Sequence, residues 1–313
     1  MKQSPVFSPI QTGQKRNLRQ ILQEVYNYLS PFSASSSFSA VLKPLMLAAI
    51  PCLILQAAVL YGLLIYSGNN QIIIASLTGD YSSLQLTSCI LPLIGVLLVG
   101  LLAHYIYILP YCIVFNFQKE LLAPKKIMQR TAQLYLRTLP GCIGYSLLYI
   151  LSLILIVGIY AAIPITIGYT LYIMRKAAAS NSNPQKAQGI SWLACLKDGF
   201  RSGTIYWARS FALLFLLLLL WIVTVAIFFL PENLFNAAYM QMLISEHEIG
   251  ISPELPSYFH PLGIILYLLT EIAMSIMIWF SGIAIAAHSD SLCVRMEERS
   301  QLQQTSQAVS PEE

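Results

Sequence analysis

Long apolar segments alternate with short polar segments along the whole chain. Most of the apolar segments have about 20 residues or more and carry almost no charge, and about 20 apolar residues are enough for one α-helix to cross the hydrocarbon core of a bilayer. This pattern predicts an all-α, polytopic helical membrane protein with six spans. The predicted spans lie at about residues 44–66, 88–115, 210–230 and 262–287, with two more inside residues 141–174.

The segment at residues 141–174 decides between five spans and six. It has 34 residues and no charge, so a single straight helix would be about 51 Å long, against about 30 Å for the hydrocarbon core. Pro164 lies near its middle, together with Gly158, and proline interrupts the hydrogen-bond pattern of a helix. We therefore predict that this segment turns back on itself as a tight hairpin of two spans.

Three polar segments predict amphipathic helices that lie on the membrane surface. In residues 17–29 the apolar positions recur every three or four residues. In residues 119–138 the polar side chains follow one stripe of a helix, at i, i+4, i+7 and i+11 from Lys126. The third segment, residues 192–208, follows Ser191, a residue type that caps helix N-termini. Each surface helix is expected to precede one helical hairpin, so that the six spans form three hairpins.

The second and third surface helices share a spaced motif, which indicates an internal repeat. The matching residues, offset by 71 positions, are Lys126, Arg130, Thr131 and Tyr135 against Lys197, Arg201, Ser202 and Tyr206. The alternative is that any basic amphipathic helix before a span would show such matches. The predicted organisation is a single membrane domain at 17–288 with pseudo-repeats at 17–118, 119–176 and 190–288, a disordered tail at 1–16, and a polar tail at 289–313 that is disordered from residue 295.

Composition and charge support the membrane assignment and orient the chain. It is 57% hydrophobic and 10% charged, with a mean hydropathy of +0.66, whereas soluble domains carry about 25% charged residues. With six spans, one face of the membrane receives all 18 Lys and Arg residues, and the opposite face receives only acidic charges, in residues 67–87 and 231–261. Because cytoplasmic segments carry the excess of Lys and Arg, we predict a bacterial inner-membrane protein with both termini in the cytoplasm. No cleaved signal peptide is predicted in the first 40 residues.

One stretch resembles a known family. Residues 196–209 read LKDGFRSGTIYWAR and run directly into the apolar residues 213–220. This order of basic residue, aromatic, basic residue, small residue and aromatic pair before a span resembles the multi-span membrane domain joined to some bacterial glycerophosphodiester phosphodiesterases, and its stand-alone relatives. The resemblance implies a similar architecture over most of the chain. The phosphodiesterases carry a catalytic barrel after the membrane part, whereas this sequence has a short polar segment there, so the resemblance does not imply that activity.

A carboxylate inside a predicted span is the first candidate for function. Glu271 lies well within the last span, where an ionisable residue is costly and is a functional hypothesis by default. It would serve as a protonatable coupling group or line a pore; the alternative is a hydrogen-bonded packing residue. His104 is the candidate partner, although it is expected to lie about 10 Å deeper than Glu271 at 1.5 Å per residue.

The basic surface helices are the second candidate. Their cations are predicted to contact anionic lipid headgroups, at about 1 kcal/mol per residue near the membrane surface, or else serve only to fix the topology. These residues are Lys125, Lys126, Arg130, Arg137, Lys197, Arg201 and Arg209.

Catalytic and metal-binding patterns are missing from the sequence. It has no Gly-rich phosphate loop, no Ser-His-Asp set and no metal-ligand spacing, and its six cysteines form no C-x-x-C pair. We therefore predict a protein that is not an enzyme, uses no cofactor and binds no nucleic acid. Its predicted role is to contact membrane lipids or a partner protein; the alternative is a small-molecule or lipid transporter whose path is lined by Glu271.

Overall fold

The computed structural model describes most of the chain. The described residues are 13–29, 37–69, 86–114, 123–154, 158–182, 189–250 and 255–309, with Ile72, Ala75 and Gly79. Within these ranges the secondary structure is helical, and no strand is present. The predicted N-terminal tail up to residue 12 and most of the predicted loop at 67–87 lie outside the described residues.

The helices include five that are long and apolar enough to cross a membrane. The helices are α1 (Leu18–Leu29), α2 (Ser37–Asn69), α3 (Leu86–Ile108), α4 (Tyr111–Val114), α5 (Pro124–Ile154), α6 (Gly158–Ser182), α7 (Trp192–Ile205), α8 (Trp207–Ile249) and α9 (Phe259–Val309). The five candidate spans are α2, α3, α5, α8 and α9. The all-α class is therefore confirmed, together with five helices that are long and apolar enough to span a membrane. Helix α6, which the sequence counts as a sixth span, is not among the five, so the six-span arrangement stays a prediction.

The amphipathic pattern of the first surface segment is confirmed. In α1 the side chains of Ile21, Val25 and Leu29 are buried, while Arg19 and Gln20 on the other face are exposed. The second surface segment differs from the prediction, because Pro124 begins a helix that continues to Ile154 without a break. Its polar first half and apolar second half therefore form one rigid element.

Several predicted boundaries are wrong because proline does not end the helices. Pro231 lies inside α8, so the predicted outer loop from residue 231 is helical as far as Ile249. Pro164 lies inside α6 and does not interrupt it, and residues 155–157, between α5 and α6, lie outside the described residues. Ser191 occupies the N-cap position of α7, but its side chain makes no capping hydrogen bond.

The predicted tails are also ordered where the structure describes them. Helix α9 continues to Val309 rather than giving way to a disordered tail at residue 295. At the other end, the backbone N–H of Gly13 donates to Asp290 at 2.9 Å, and that of Arg16 donates to the hydroxyl of Ser291 at 3.0 Å. Residues 13–16 are therefore bound to α9.

The helices divide into two compact units. Unit 1 contains Met1–Ala48, Tyr107–Leu219 and Trp279–Glu313, and unit 2 contains Ala49–Ile106 and Leu220–Ile278. In unit 1, α5, α6 and α7 pack around buried tyrosines such as Tyr145 and Tyr172. In unit 2, segments of α2, α8 and α9 pack around aromatic side chains such as Tyr61 and Tyr267, and many large apolar side chains of α3 are exposed.

Two helices of unit 1 cross at very short range. A Cβ atom on Gly199 of α7 would lie 2.5 Å from the Cα of Gly168 on α6, and 2.6 Å from the carbonyl oxygen of Pro164. Both neighbours are backbone atoms that cannot rotate away. The crossing of α6 and α7 therefore requires glycine at position 199.

Candidate functional site

Two buried carboxylates lie together in unit 2. Glu271 on α9 is 8% exposed and Glu232 on α8 is 7% exposed. The two groups are close enough to interact electrostatically. The pairing brings the predicted candidate Glu271 together with a residue that the sequence analysis placed in an outer loop.

Antiparallel packing of α8 and α9 produces this pairing. The Thr270 hydroxyl donates to the carbonyl oxygen of Phe228 at 3.2 Å, and the Tyr267 hydroxyl donates to Oδ1 of Asn236 at 3.1 Å. On α8, Glu232 lies between the two residues that accept these bonds, about one helical turn after Phe228 and one turn before Asn236. Thr270 also forms a hydrogen bond with the side chain of Glu232.

Other polar side chains are buried in the same unit. Ser275 follows Glu271 by one helical turn on the same face of α9 and is 1% exposed, and Gln56 on α2 is 6% exposed. Neither Oγ of Ser275 nor Oε1 of Gln56 has a hydrogen-bond partner among the described residues. Buried polar atoms are nearly always hydrogen-bonded, so these two oxygens mark an unusual region of the interior.

His104, the predicted partner of Glu271, is buried on α3 in the same unit. The charged group that interacts electrostatically with Glu271 is Glu232, and the pairing of Glu271 with His104 stays a prediction. Glu232 was missed because Pro231 was interpreted as the end of a span. The signal that could have found it is the continued helical spacing of Phe228, Glu232 and Phe235 through that proline.

The predicted basic residues lie on unit 1, on α5, α7 and the start of α8. Lys125, Lys126, Lys197 and Arg201 are exposed. Arg130 and Arg137 are partly exposed, and each also interacts with other groups of the protein.

Exposed apolar side chains accompany these cations. Phe200, beside Arg201 on α7, is 41% exposed, and Leu136, beside Arg137 on α5, is 69% exposed. A helix that exposes basic and large apolar side chains together has the composition of an element at the boundary between headgroups and acyl chains.

Arg209 differs from the other predicted headgroup residues. Its guanidinium donates to the backbone carbonyl of Arg16, and the Ser291 hydroxyl donates to the same carbonyl at 3.3 Å. The side chain of Arg16 is 3% exposed and pairs with Glu24 at 2.8 Å and with Asp290 at 3.4 Å. Arg209 therefore helps to hold the N-terminal segment against unit 1.

A surface pocket of about 220 Å³ opens between α6, α7 and α9 in unit 1. Arg175 and Asp198 form an ion pair at 2.6 Å on its wall, and Arg201 and Glu297 also line it. Burial alone lowers the pKa of Arg175, but the hydrogen bond and charge of Asp198, with the nearby Cys195 sulfur, raise it above the ordinary value.

Cys195 lies beside Arg175, whose guanidinium donates to its sulfur at 3.6 Å. Burial raises the pKa of its thiol, although the charge of Arg175 opposes this effect. A thiol with a raised pKa stays protonated and unreactive.

Within the described residues, no three His, Cys, Asp or Glu side chains come together in a way that could hold a metal ion. No family model, no curated protein and no solved structure matches this chain. The function must therefore be argued from the two regions described above: the buried carboxylates of unit 2 and the basic faces of unit 1.

Proposed function

We propose that this protein is a non-enzymatic integral membrane protein of a bacterial inner membrane whose basic helices contact anionic lipid headgroups. The proposal includes six spans arranged as three hairpins, with both termini in the cytoplasm. This architecture agrees with the one implied by the resemblance to the membrane domain of the phosphodiesterase family.

The segregation of charge between the two units is the observation that supports this proposal. All 18 Lys and Arg residues belong to unit 1, and unit 2 has none. The cytoplasmic side of a membrane protein carries the excess of Lys and Arg, and the cytoplasmic leaflet carries the anionic lipids. A face that collects every cation of the chain is therefore suited to anionic headgroups.

The exposed stripes on α5 and α7 supply the contact surface. Lys197 and Arg201 follow each other by one turn of α7, with Phe200 between them. On α5, the basic first half leads directly into an apolar half with exposed Ile143 and Leu147. Each helix therefore offers cations at headgroup level beside side chains that can enter the acyl boundary.

Replacing two cations of these stripes tests the proposal. Arg130→Gln with Arg201→Gln should lower the preference for phosphatidylglycerol over phosphatidylcholine by up to roughly 30-fold, because each cation contributes about 1 kcal/mol. The measurement is quenching of tryptophan fluorescence by brominated lipids in reconstituted vesicles.

A matched variant separates local contact from net charge. Lys43→Gln with Arg299→Gln removes the same charge from exposed positions of unit 1 outside α5 and α7. This variant should keep nearly the wild-type lipid preference. Equal losses in the two variants would contradict a specific role for α5 and α7.

Reporters fused near Gln129 and Asn183 test the topology. Both should be found in the cytoplasm if α5 and α6 form a hairpin of two spans. Reporters on opposite sides of the membrane would contradict six spans and the headgroup proposal together, because the basic segments would then face different compartments.

A small-molecule or lipid transporter is the second candidate. The buried carboxylates Glu232 and Glu271 favour it, since ionisable groups inside membrane segments commonly mark substrate or ion pathways. Glu271→Gln should abolish transport by reconstituted vesicles while leaving the lipid preference unchanged. Transport that survives this substitution would remove the second candidate.

A further inference from the structure

The surface pocket of unit 1 carries both signs of charge on its walls. Helix α9 lines it with residues at i, i+3, i+4 and i+7, which form one helical face, and α7 lines it with residues at i, i+3 and i+4. The arginines and acids among the lining residues are Arg175, Arg201, Asp198 and Glu297. Two positive and two negative groups leave the pocket with no net charge.

One cation and one anion of the pocket are paired with each other, and the other two are not paired. Arg175 and Asp198 form the ion pair at 2.6 Å. Among the described residues, no ion pair engages the guanidinium of Arg201 or the carboxylate of Glu297, and both side chains are exposed. The pocket therefore presents one cation and one anion to a molecule that enters it.

The two serines of the pocket are hydrogen-bond acceptors. The hydroxyl of Ser202 donates to the backbone carbonyl of Asp198 at 2.8 Å, and that of Ser300 donates to the backbone carbonyl of Glu297 at 2.7 Å. A hydroxyl has a single hydrogen, so each oxygen can then only accept. The pocket thus combines guanidinium donors with carboxylate and hydroxyl acceptors.

This combination matches a small zwitterion. A phosphate has only acceptors and suits Arg201, whereas a primary ammonium has three donors and no acceptor and suits Glu297. An anion alone would be repelled by Glu297, and a cation alone by Arg201. The volume of about 220 Å³ holds several non-hydrogen atoms, since one water needs roughly 10–15 Å³, but it is below the roughly 300–1,000 Å³ of sites for drug-sized ligands.

The pocket adjoins the exposed face of α7. Lys197, Phe200 and Thr204 are exposed on that face, and Arg201 follows Phe200 by about 100° around the helix. Under the proposed function this face lies against the membrane, with the 41% exposed Phe200 at the acyl boundary. Arg201 then lies at the level of the lipid phosphates.

We propose that this pocket binds a phosphate ester that also carries a primary ammonium group, as the headgroup of phosphatidylethanolamine does. Arg201 binds the phosphate, Glu297 accepts hydrogen bonds from the ammonium, and the ion pair of Arg175 with Asp198 fixes the wall between α6 and α7. The inference rests on the proposed function for the position of α7 at headgroup level. It goes beyond that function because an anionic headgroup needs no carboxylate to receive it.

Native mass spectrometry of the full-length protein released from nanodiscs tests the proposal. The nanodiscs contain equal amounts of phosphatidylethanolamine and phosphatidylcholine, which share the phosphate but differ in the ammonium group, because that of phosphatidylcholine has no N–H. The wild type should retain phosphatidylethanolamine in preference. Glu297→Gln should lower this preference roughly 3-fold to 10-fold, because a charge-assisted hydrogen bond becomes a neutral one.

Matched variants make the assignment specific. Glu298→Gln removes the neighbouring carboxylate, which pairs with Lys15 and does not line the pocket, and should keep the wild-type preference. Arg201→Gln should lower the retention of both lipids without changing their ratio, because both carry the phosphate. Lys197→Gln, one turn earlier on the exposed face of α7, should leave the retention of both lipids unchanged.

Soluble phosphoethanolamine distinguishes a lipid ligand from a free ester. If the headgroup of a membrane lipid is the ligand, the soluble ester added at the concentration of the lipid should displace none of the retained phosphatidylethanolamine. Displacement would identify the soluble ester as the ligand of the same site. Soluble phosphocholine is the control and should displace nothing in either case.

Two results would overturn the proposal. They are equal retention of phosphatidylethanolamine and phosphatidylcholine by the wild type, and equal losses of preference in Glu297→Gln and Glu298→Gln. Either result with an intact preference for phosphatidylglycerol over phosphatidylcholine would leave the proposed function standing. A wild type that prefers phosphatidylethanolamine but not phosphatidylglycerol would contradict the proposed function and still support the pocket, so the two failures are distinguishable.

Discussion

The two units differ most in how they treat charge. Unit 1 holds all 18 cations and places many of them in ion pairs or at the surface, as with Arg16 and Arg175. Unit 2 holds no cation and buries two of its acids. One chain therefore builds two chemical environments: basic side chains are paired or exposed in unit 1, whereas acidic side chains are buried in unit 2 without a Lys or Arg in the same unit.

The largest expected effect concerns backbone packing in unit 1. Gly199→Ala should destabilise the protein by about 3 kcal/mol, because the added Cβ meets the backbone of α6 and overpacking of this kind is costly. The measurement is thermal unfolding in detergent. Gly62→Ala on α2 of unit 2, where a Cβ would meet nothing within 4 Å, should be neutral or slightly stabilising. Similar losses in the two variants would mean that the crossing at Gly199 is not specially close.

An intermediate effect is expected at the N-terminal contact of unit 1. Arg16→Gln should destabilise by about 2 kcal/mol, because its buried guanidinium is hydrogen-bonded to charged partners. Hydrogen exchange should increase in residues 13–29. Lys15, which forms an exposed ion pair with Glu298, gives the matched variant Lys15→Gln, with an expected effect under about 1 kcal/mol. Unchanged exchange in Arg16→Gln would show that the N-terminal segment is held by its backbone contacts alone.

The smallest effect is expected at the pocket of unit 1. Arg175→Gln removes an ion pair whose two side chains are 42% and 45% exposed, so the change in the free energy of unfolding should be under about 1 kcal/mol. Chemical denaturation of the purified protein provides the measurement. A loss of several kcal/mol would mean that compensated charge in unit 1 is a major source of its stability.

Local patterns of the sequence were enough to predict the fold class and the faces of the helices. The apolar runs predicted membrane helices, and the spacing in α1 predicted which of its residues are buried. Burial of Ile21 and exposure of Arg19 follow from helical periodicity alone. Helix boundaries were harder, because Pro140, Pro164 and Pro231 all lie within helices that continue on both sides of the proline.

The candidate site was predicted only in part. Glu271 stood out because it lies in an apolar run, and this depends on the sequence alone. The identity of its neighbour depends on how α8 and α9 align, which no spacing within either helix reveals. For that reason Glu232 was assigned to a loop, and His104 was proposed in its place.

The sequence by itself determined the all-α class with long apolar helices, the amphipathic faces and the absence of Lys and Arg from residues 49–106 and 220–278, because hydrophobicity and helical period act over a few turns. Only the tertiary structure decided that Glu232 lies near enough to Glu271 to interact electrostatically, that Arg16 is buried against α9, and that Gly199 packs against the backbone of α6. These contacts join residues that are far apart in the chain. They depend on the register between whole helices, which is set by packing rather than by any local pattern.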